Sequence, residues 1–210
     1  MFSECIQDYL PELKTHFAER ILADVSDNQN VSADEISTAA GSVLFKNDRI
    51  YDHKVFRVNY TTYDARRAQD VINPDTSHCN IMVLNGTQKN VDLDLYLYAR
   101  VLGVCHANIV YVGPRAVDYQ PRRMDFLWVR WYEQVDSGCT GWSSRKLDRA
   151  RFPSFSDSTG RGFGFIDPSL VLRASHIIPM FRKGKRYEDG KGMSLCGKDS
   201  SDWKEYYISR

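Results

Sequence analysis

The chain has 210 residues, with 28 lysines and arginines against 27 aspartates and glutamates, which gives a formal net charge of +1. A chain of this length buries about 70% of its unfolded surface and needs no metal or disulfide to fold, and its balanced charge excludes a global positive field. Any binding to nucleic acid must therefore come from a local cluster of cations.

The cysteines and the first residues indicate where the protein resides. The five cysteines are odd in number and widely spaced, and the first ten residues contain Glu4 and Asp8 and no apolar run. A secretory signal peptide requires such a run, and disulfides are rare in reducing compartments. No apolar run approaches the roughly 18 residues that span a bilayer. These features predict an intracellular, reduced protein without a membrane span.

Residues 1–25 carry the spacing of an amphipathic helix. Apolar residues such as Leu10, Leu13, Phe17 and Ile21 recur at intervals of three and four, which places them on one helical face. Pro11 suits the first turn, where its missing N–H would have had no partner. Residues 26–42 are polar and rich in Ser, Asn and Asp, a composition typical of a linker.

Residues 43–183 predict a β module. Three runs rich in Val, Ile and aromatic residues, 95–102, 107–112 and 124–132, form a central meander. Side chains alternate along a strand, so Leu127, Val129 and Trp131 should face the core, and the opposite face, from Phe126 to Tyr132, should support a loop or a ligand. Residues 184–210 then form a Gly and Lys loop and a closing aromatic strand. The expected fold is mainly β (α+β), an SH3-like curled barrel or meander with an N-terminal amphipathic helix.

Possible metal and catalytic residues are present without a supporting motif. The sequence contains neither C-x-x-C nor H-E-x-x-H, patterns that mark many zinc sites, so no metal and no cofactor are expected. A small hydrolase remains an alternative, using Cys105 or Cys79 as the nucleophile, or His106 beside Asp118 or Asp125. The histidines and cysteines considered as zinc ligands are His53, His78, Cys79, Cys105, His106, Cys139 and His176.

A second alternative is RNA binding. Residues 161–166, RGFGFI, match the first six positions of the RNP1 strand of RNA-recognition motifs, in which aromatic rings stack on bases. The LWVR run that begins at Leu127 lies upstream at about the distance of RNP2. The eighth position, which should be aromatic, is Pro168, and no amphipathic helix is predicted between the two runs.

A resemblance to a known family covers residues 43–210. It rests on five ordered stretches: VNYTTYD from Val58, YARVLG from Tyr98, MDFLWVRW from Met124, FGFIDP from Phe163 and SHIIP from Ser175. This set resembles the region after the catalytic domain in fungal transposases of the CACTA (En/Spm, tnp2) type. The strand pattern is also, more weakly, similar to the bromo-adjacent homology (BAH) domain, a chromatin-associated β-barrel. The resemblance implies a nuclear, non-catalytic module from a mobile element that binds DNA or a chromatin protein.

Two surfaces are predicted to carry that binding, and a small-molecule substrate is not expected. Cations flank the central strand on both sides and would meet phosphates if the two groups converge; they are Arg122, Arg123, Arg145, Lys146, Arg149 and Arg151. An aromatic groove would comprise Trp128, Tyr132, Trp142 and Phe163. The sequence does not indicate an oligomeric state.

Overall fold

The computed structural model describes residues 9–25, 31–85, 95–116, 118–135, 147–154, 162–192, 194 and 196–209. Two helices precede twelve strands in this described part of the chain. The elements are α1 (Tyr9–Val25), α2 (Ala33–Gly41), β1 (Val43–His53), β2 (Phe56–Thr61), β3 (Arg67–Ile72), β4 (Asn80–Leu84), β5 (Tyr96–Tyr111), β6 (Arg122–Trp131), β7 (Glu133–Gln134), β8 (Asp148–Arg151), β9 (Phe163–Ile166), β10 (Val171–Ala174), β11 (His176–Pro179) and β12 (Tyr206–Ser209).

The strands form three antiparallel groups. The main sheet has the order β10-β4-β5-β6-β9, with β1 also paired to β5, and the second sheet has the order β11-β12-β8-β7. A two-stranded hairpin, β2–β3, completes the set. The mainly β, α+β prediction is confirmed. The sheets do not close into a barrel, because the small second sheet and the hairpin pack on the main sheet instead of continuing its ladder.

Strand β5 organises the main sheet. It runs for 16 residues without a break, so the prediction of two separate strands across this stretch is wrong. Gly103, which falls between the two predicted runs, lies at a register shift in the pairing with β6, between Val101 and Gly103, and glycine inside a strand often marks such a bulge. One edge of β5 pairs first with β4 and then with β1.

Helix α1 covers one end of one face of the main sheet. Leu13, Phe17 and Ala18 are fully buried, and they share a cluster with Ile109 and Phe126 of the sheet. The predicted amphipathic helix is therefore present over the described residues from Tyr9, and its apolar stripe is core. Pro11 is its third residue, within the first turn where proline is tolerated.

Helix α2 contradicts the prediction of a polar linker over residues 26–42 in its described part, since residues 26–30 lie outside the described residues. Ser32 caps its first turn: the Ser32 hydroxyl accepts from the Glu35 N–H, and the Glu35 carboxylate accepts from the Ser32 N–H. This capping box supplies partners for N–H groups that the first turn leaves open. Ala39 is buried and Ile36 packs against the α1 cluster. The segment is thus polar on its outer side only.

From Phe126 onward both faces of β6 are largely buried, which corrects the prediction of one core face and one ligand face. Leu127 and Val129 are fully buried beneath the β2–β3 hairpin, where Trp131 is only partly buried. On the other face, Phe126 lies under α1 and Tyr132, just beyond β6, lies under the second sheet. The hairpin, the helix and the second sheet each cover a part of the main sheet.

The last residues of the chain belong to the same core. Strand β12 pairs with both β11 and β8, and Tyr206 and Ile208 are buried against Tyr98 and Tyr132. Lys185 and Trp203 form a further bridge. The closing aromatic strand predicted for this end is therefore present, with its regular part at Tyr206–Ser209.

Candidate functional site

The structure separates the predicted cations into two groups. Arg122 and Arg123 begin β6, whereas Arg149 and Arg151 lie in β8, which pairs with Glu133 and Gln134 just past the other end of β6. Ten residues of strand span about 30 Å, so the two groups do not converge on one ligand site. Arg145 and Lys146 lie outside the described residues.

Each of the four described arginines has an acidic partner. The partners of Arg122 and Arg123 are Asp118 at 3.4 Å and Asp125 at 2.7 Å, and both arginine side chains remain more than half exposed. Arg149 pairs with Glu205 and Arg151 with Glu133. Exposed pairs of this kind contribute about 0–1 kcal/mol, so the pairs at Arg122 and Arg123 exchange easily for another anion.

A bulge of β1 adds two cations to the Arg122 end of the sheet. Phe45 pairs with Ile109 and Ile50 with Ala107 of β5, so the four residues 46–49 stand opposite Asn108 alone. Arg123 faces the same Asn108 from β6. Neighbouring strands lie about 4.8 Å apart, which brings the bulge within roughly 10 Å of Arg123 along the backbone. The exposed cations of the bulge are Lys46 and Arg49.

The predicted aromatic groove is not an open surface. Tyr132 is buried and stacks on Phe152, with ring centroids 4.1 Å apart. Trp128 and Phe163 stack on each other at 6.1 Å and are half-buried. Trp142 lies outside the described residues. The aromatic face of β6 therefore fills the core beneath α1 and the second sheet.

The RNP1-like run does lie beside β6, as the RNA-binding alternative requires. Strand β9 pairs with it in the register Trp128 to Phe165 and Arg130 to Phe163. However, Tyr9 of α1 makes edge-to-face contacts with Trp128 at 5.5 Å and with Phe165 at 5.0 Å. The helix occupies the position in which bases would stack, so this strand pair lacks the open ring surface that RNP1 uses.

Three ionisable side chains converge on the opposite face, beside the cations. His106 of β5 pairs directly with Asp125 of β6, and His53 of β1 reaches His106, with its Nε2 atom 2.7 Å from Nδ1 of His106. One ligand-capable atom from each residue lies within 4.8 Å of the others. The hydrolase alternative anticipated His106 beside Asp125, and the structure brings them together; Asp118 instead pairs with Arg122.

The cysteines of the hydrolase alternative are not activated. Burial, together with the Asp52 carboxylate, raises the pKa of the Cys105 thiol to about 12. Burial also raises the pKa of the Cys79 thiol. The thiolate is the nucleophilic form, and these thiols stay protonated near neutral pH. The Cys105 side chain points toward the α1 cluster, away from His106.

Lys46 and Arg49 were not among the predicted cations, and His53 was considered as a metal ligand without its partner His106. Asn47 and Asp48 between the two cations have φ angles of 59° and 48°, and Asn and Asp are the residues that tolerate this left-handed region. The Asn-Asp pair was a usable turn signal. Nothing in the sequence indicated that His53 would meet His106, because the two residues are 53 positions apart.

Comparison with known proteins adds no relative. No family model matches the chain, and neither a curated protein nor a solved structure matches it. Over the described residues, no helix is long and apolar enough to cross a membrane.

Proposed function

We propose that the protein is a non-catalytic module that binds DNA through the end of its main sheet where β1, β5 and β6 meet. The observation that carries this proposal is the juxtaposition of exposed cations from two strands on either side of Asn108. We name this surface the cationic end. Its members are Lys46, Arg49, Arg122 and Arg123.

The bulge gives the cationic end its shape. Residues 46–49 are four residues opposite one, so they must leave the plane of the sheet, and bulges commonly re-aim side chains at the rim of a sheet. Positive φ angles at Asn47 and Asp48 turn the chain sharply there. Lys46 and Arg49 therefore flank a tight turn and project beyond the ladder, where a phosphate backbone can approach them.

The charges of the cationic end are available to a ligand. Among the described residues, Lys46 and Arg49 form no ion pair within 4 Å. Arg122 and Arg123 do form such pairs, but with exposed partners. Phosphate contacts with arginine release counterions and supply much of the affinity for DNA. Replacing an exposed carboxylate partner by a phosphate is thus favourable at low salt.

A mobile-element origin, a nuclear location and a BAH-like or SH3-like arrangement with its sheet left open are what the resemblance to CACTA transposases and BAH domains supports. A cationic surface repels a basic histone tail, so DNA is a better ligand than such a tail. An acidic surface of a chromatin protein would contact the same cations. The experiment distinguishes this alternative, because a surface that binds only a protein partner would not bind either duplex.

Fluorescence anisotropy with short labelled duplexes tests the proposal. Replacing the four residues of the cationic end by Gln should weaken binding to two duplexes of unrelated sequence by the same factor, because phosphate contacts position a protein without reading bases. The matched control removes four charges from the second-sheet end, as the substitutions Arg149→Gln, Arg151→Gln, Lys183→Gln and Lys204→Gln. Both variants change the net charge equally, so only the location of the charges differs.

Two results would contradict the proposal. One is equal loss of affinity in the two variants, which would reduce the effect to net charge. The other is no binding of the natural sequence to either duplex at micromolar protein in low salt, which would favour a protein partner. Circular dichroism of both variants establishes that they are folded.

A further inference from the structure

The face of the main sheet next to the cationic end carries a cluster of nitrogen and oxygen donors from three adjacent strands. His53 is the last residue of β1, His106 lies within β5 and Asp125 lies within β6. His106 and Asp125 are cross-strand partners. Side chains directly opposite each other on one face have Cβ atoms about 5 Å apart, so the backbone itself holds this pair together.

The side chains of the cluster point at one another. His53 Nε2 is 2.7 Å from His106 Nδ1, and donor atoms of all three residues lie within 4.8 Å of each other. Ligands of a tetrahedral zinc ion at about 2.0–2.1 Å are separated by about 3.3 Å. Small rotations of the side chains therefore convert the present spacing into that of a coordination sphere.

Other groups orient the donors. The Arg123 guanidinium donates to Asp125 Oδ1 from Nε at 3.1 Å and from Nη2 at 2.7 Å, which leaves Oδ2 open. Tyr51 stacks on the His106 ring, with centroids 4.7 Å apart and planes inclined by 10°. Metal-binding carboxylates and imidazoles are usually held by such outer contacts. The ring of His106 and the carboxylate of Asp125 are thus both fixed before a ligand arrives.

The charge state of His106 is compatible with metal binding. Burial, with the nearby charges of Arg123 and His53, lowers the pKa of His106, although Asp125 opposes this shift. The neutral imidazole is the form that coordinates metal ions. Two facing ring nitrogens share one proton between them, so one of the two already presents a lone pair toward the other.

We propose that His53, His106 and Asp125 bind one divalent transition-metal ion, with Zn²⁺ the expected occupant. Two imidazoles and one carboxylate favour zinc and its first-row neighbours over magnesium or calcium, which prefer oxygen ligands alone. Three protein ligands leave a fourth tetrahedral position for water or for a donor from a partner. The site adjoins the cationic end and shares the contact of Arg123 with Asp125, but metal binding is measured without DNA, so its failure is distinguishable from failure of DNA binding.

The alternative is a histidine pair that hydrogen-bonds across two strands and binds no ion. In that arrangement Asp125 only accepts hydrogen bonds from Arg123. Any residual metal binding of the chain then does not change when either histidine is replaced. The two accounts predict opposite outcomes for the same variants, because only the metal site needs all three donors at once.

Titration of the full chain, stripped of metal with EDTA, distinguishes the two accounts. Zn²⁺ is added in competition with a chromophoric chelator, and Co²⁺ is added in parallel as an absorbing probe. We expect one equivalent of each ion to bind, with the visible d–d bands of four-coordinate Co²⁺ in a nitrogen and oxygen environment. Zn²⁺ should also raise the melting temperature, since an ion that binds only the folded state stabilises it.

The variants and their controls use histidines of the same chain. His53→Gln and His106→Gln should each weaken Zn²⁺ binding by at least about 100-fold, and Asp125→Asn by at least about 10-fold, since even outer contacts of metal ligands are worth 10–100-fold. His78→Gln and His176→Gln, at exposed positions outside the cluster, should bind as the natural sequence does. Melting temperatures without metal verify that each variant is folded.

Several results would overturn the proposal. The natural sequence could fail to bind Zn²⁺ at micromolar concentrations, or the cluster variants could bind as tightly as the two controls. A thiolate charge-transfer band in the Co²⁺ spectrum would place the ion on cysteines instead. A Zn²⁺-dependent rise in melting temperature that persists in His106→Gln would also overturn the proposal, because the ion would then be bound elsewhere.

Discussion

Asp202 connects the main sheet to the second sheet in the interior of the molecule. It is fully buried and accepts from Arg130 at 2.6 Å and from Arg100 at 2.7 Å. The Arg130 guanidinium, itself 1% exposed, also lies 3.9 Å from the centroid of the Phe152 ring. These groups join the main sheet to the second sheet. The partner of Arg130 lies 72 residues further along the chain. The pair was therefore not predictable from the sequence of β6 alone.

We expect Asp202→Asn to reduce the free energy of unfolding by about 3–5 kcal/mol, because removing one partner leaves a buried charge uncompensated. Urea unfolding followed by tryptophan fluorescence measures the loss. Glu188→Gln is the control: Glu188 pairs with Lys204 at 3.9 Å and its side chain is 89% exposed, so its unfolding midpoint should not move. Equal midpoints for the two variants would refute the role assigned to Asp202.

His16 is a half-buried histidine on which part of the pH dependence of stability should depend. Its Nε2 atom is buried without a hydrogen-bond partner among the described residues, and its ring lies near Phe17 and Phe165. Burial, with the nearby charge of Arg20, lowers its pKa to about 4, while Asp167 acts in the opposite direction. The folded protein therefore keeps His16 neutral well below the pH at which the unfolded chain protonates it.

Stability should fall as the pH decreases from about 6.5 to about 4. In that window the unfolded state binds a proton that the folded state does not, so the free energy of unfolding decreases by at most about 3 kcal/mol. The substitution His16→Gln should remove this part of the dependence. Urea midpoints at several pH values measure it, and parallel curves for the two proteins would contradict the assignment.

At the scale of elements, the sequence predicted types better than boundaries. The alternation in β6 and the three-and-four spacing in α1 were correct, because both patterns report one local period. The polar composition around α2 concealed its capping box, although Ser32 and Glu35 are a recognisable signal of a helix start. The division of β5 failed because its ladder with β6 continues on both sides of the register shift at Gly103, so the glycine interrupts the pairing and not the strand.

Helix α1 is expected to be essential for cooperative folding. Deleting residues 1–30 should abolish cooperative unfolding, because Leu13 and Phe17 are fully buried against the main sheet and their removal exposes Phe126. Urea unfolding of the truncated chain measures this, with the appearance of dye-binding apolar surface as a second readout. A truncated protein that unfolds in one sharp transition would show that the helix is an accessory.

At the scale of the whole molecule, composition and alternation predicted a mainly β fold, whereas strand order was beyond them. Pairing in the main sheet joins residues far apart in sequence, such as Val43 with Tyr111. The same limit applies to the site. Arg122 and Arg123 were predicted, but the bulge beside them depends on β1 lying along β5, and the histidine cluster depends on the same pairing.

Because the net charge is only +1, DNA binding depends on where the cations lie. The described arginines of the predicted set occupy two ends of the molecule, and only one end has additional cations from β1. Binding through that end should be sequence-independent and strongly dependent on salt, because it rests on counterion release. A surface whose cations are all paired with carboxylates and that does not bind DNA would show no such dependence on salt.

The salt dependence of duplex affinity tests this account most directly. Four phosphate contacts at the cationic end should give a slope of about −3.6 in a plot of the logarithm of affinity against that of salt concentration, since each contact releases about 0.9 counterion. The variant with Gln at Lys46, Arg49, Arg122 and Arg123 should bring that slope close to zero. A natural-sequence slope near zero, or a slope unchanged in this variant, would contradict DNA binding at the cationic end.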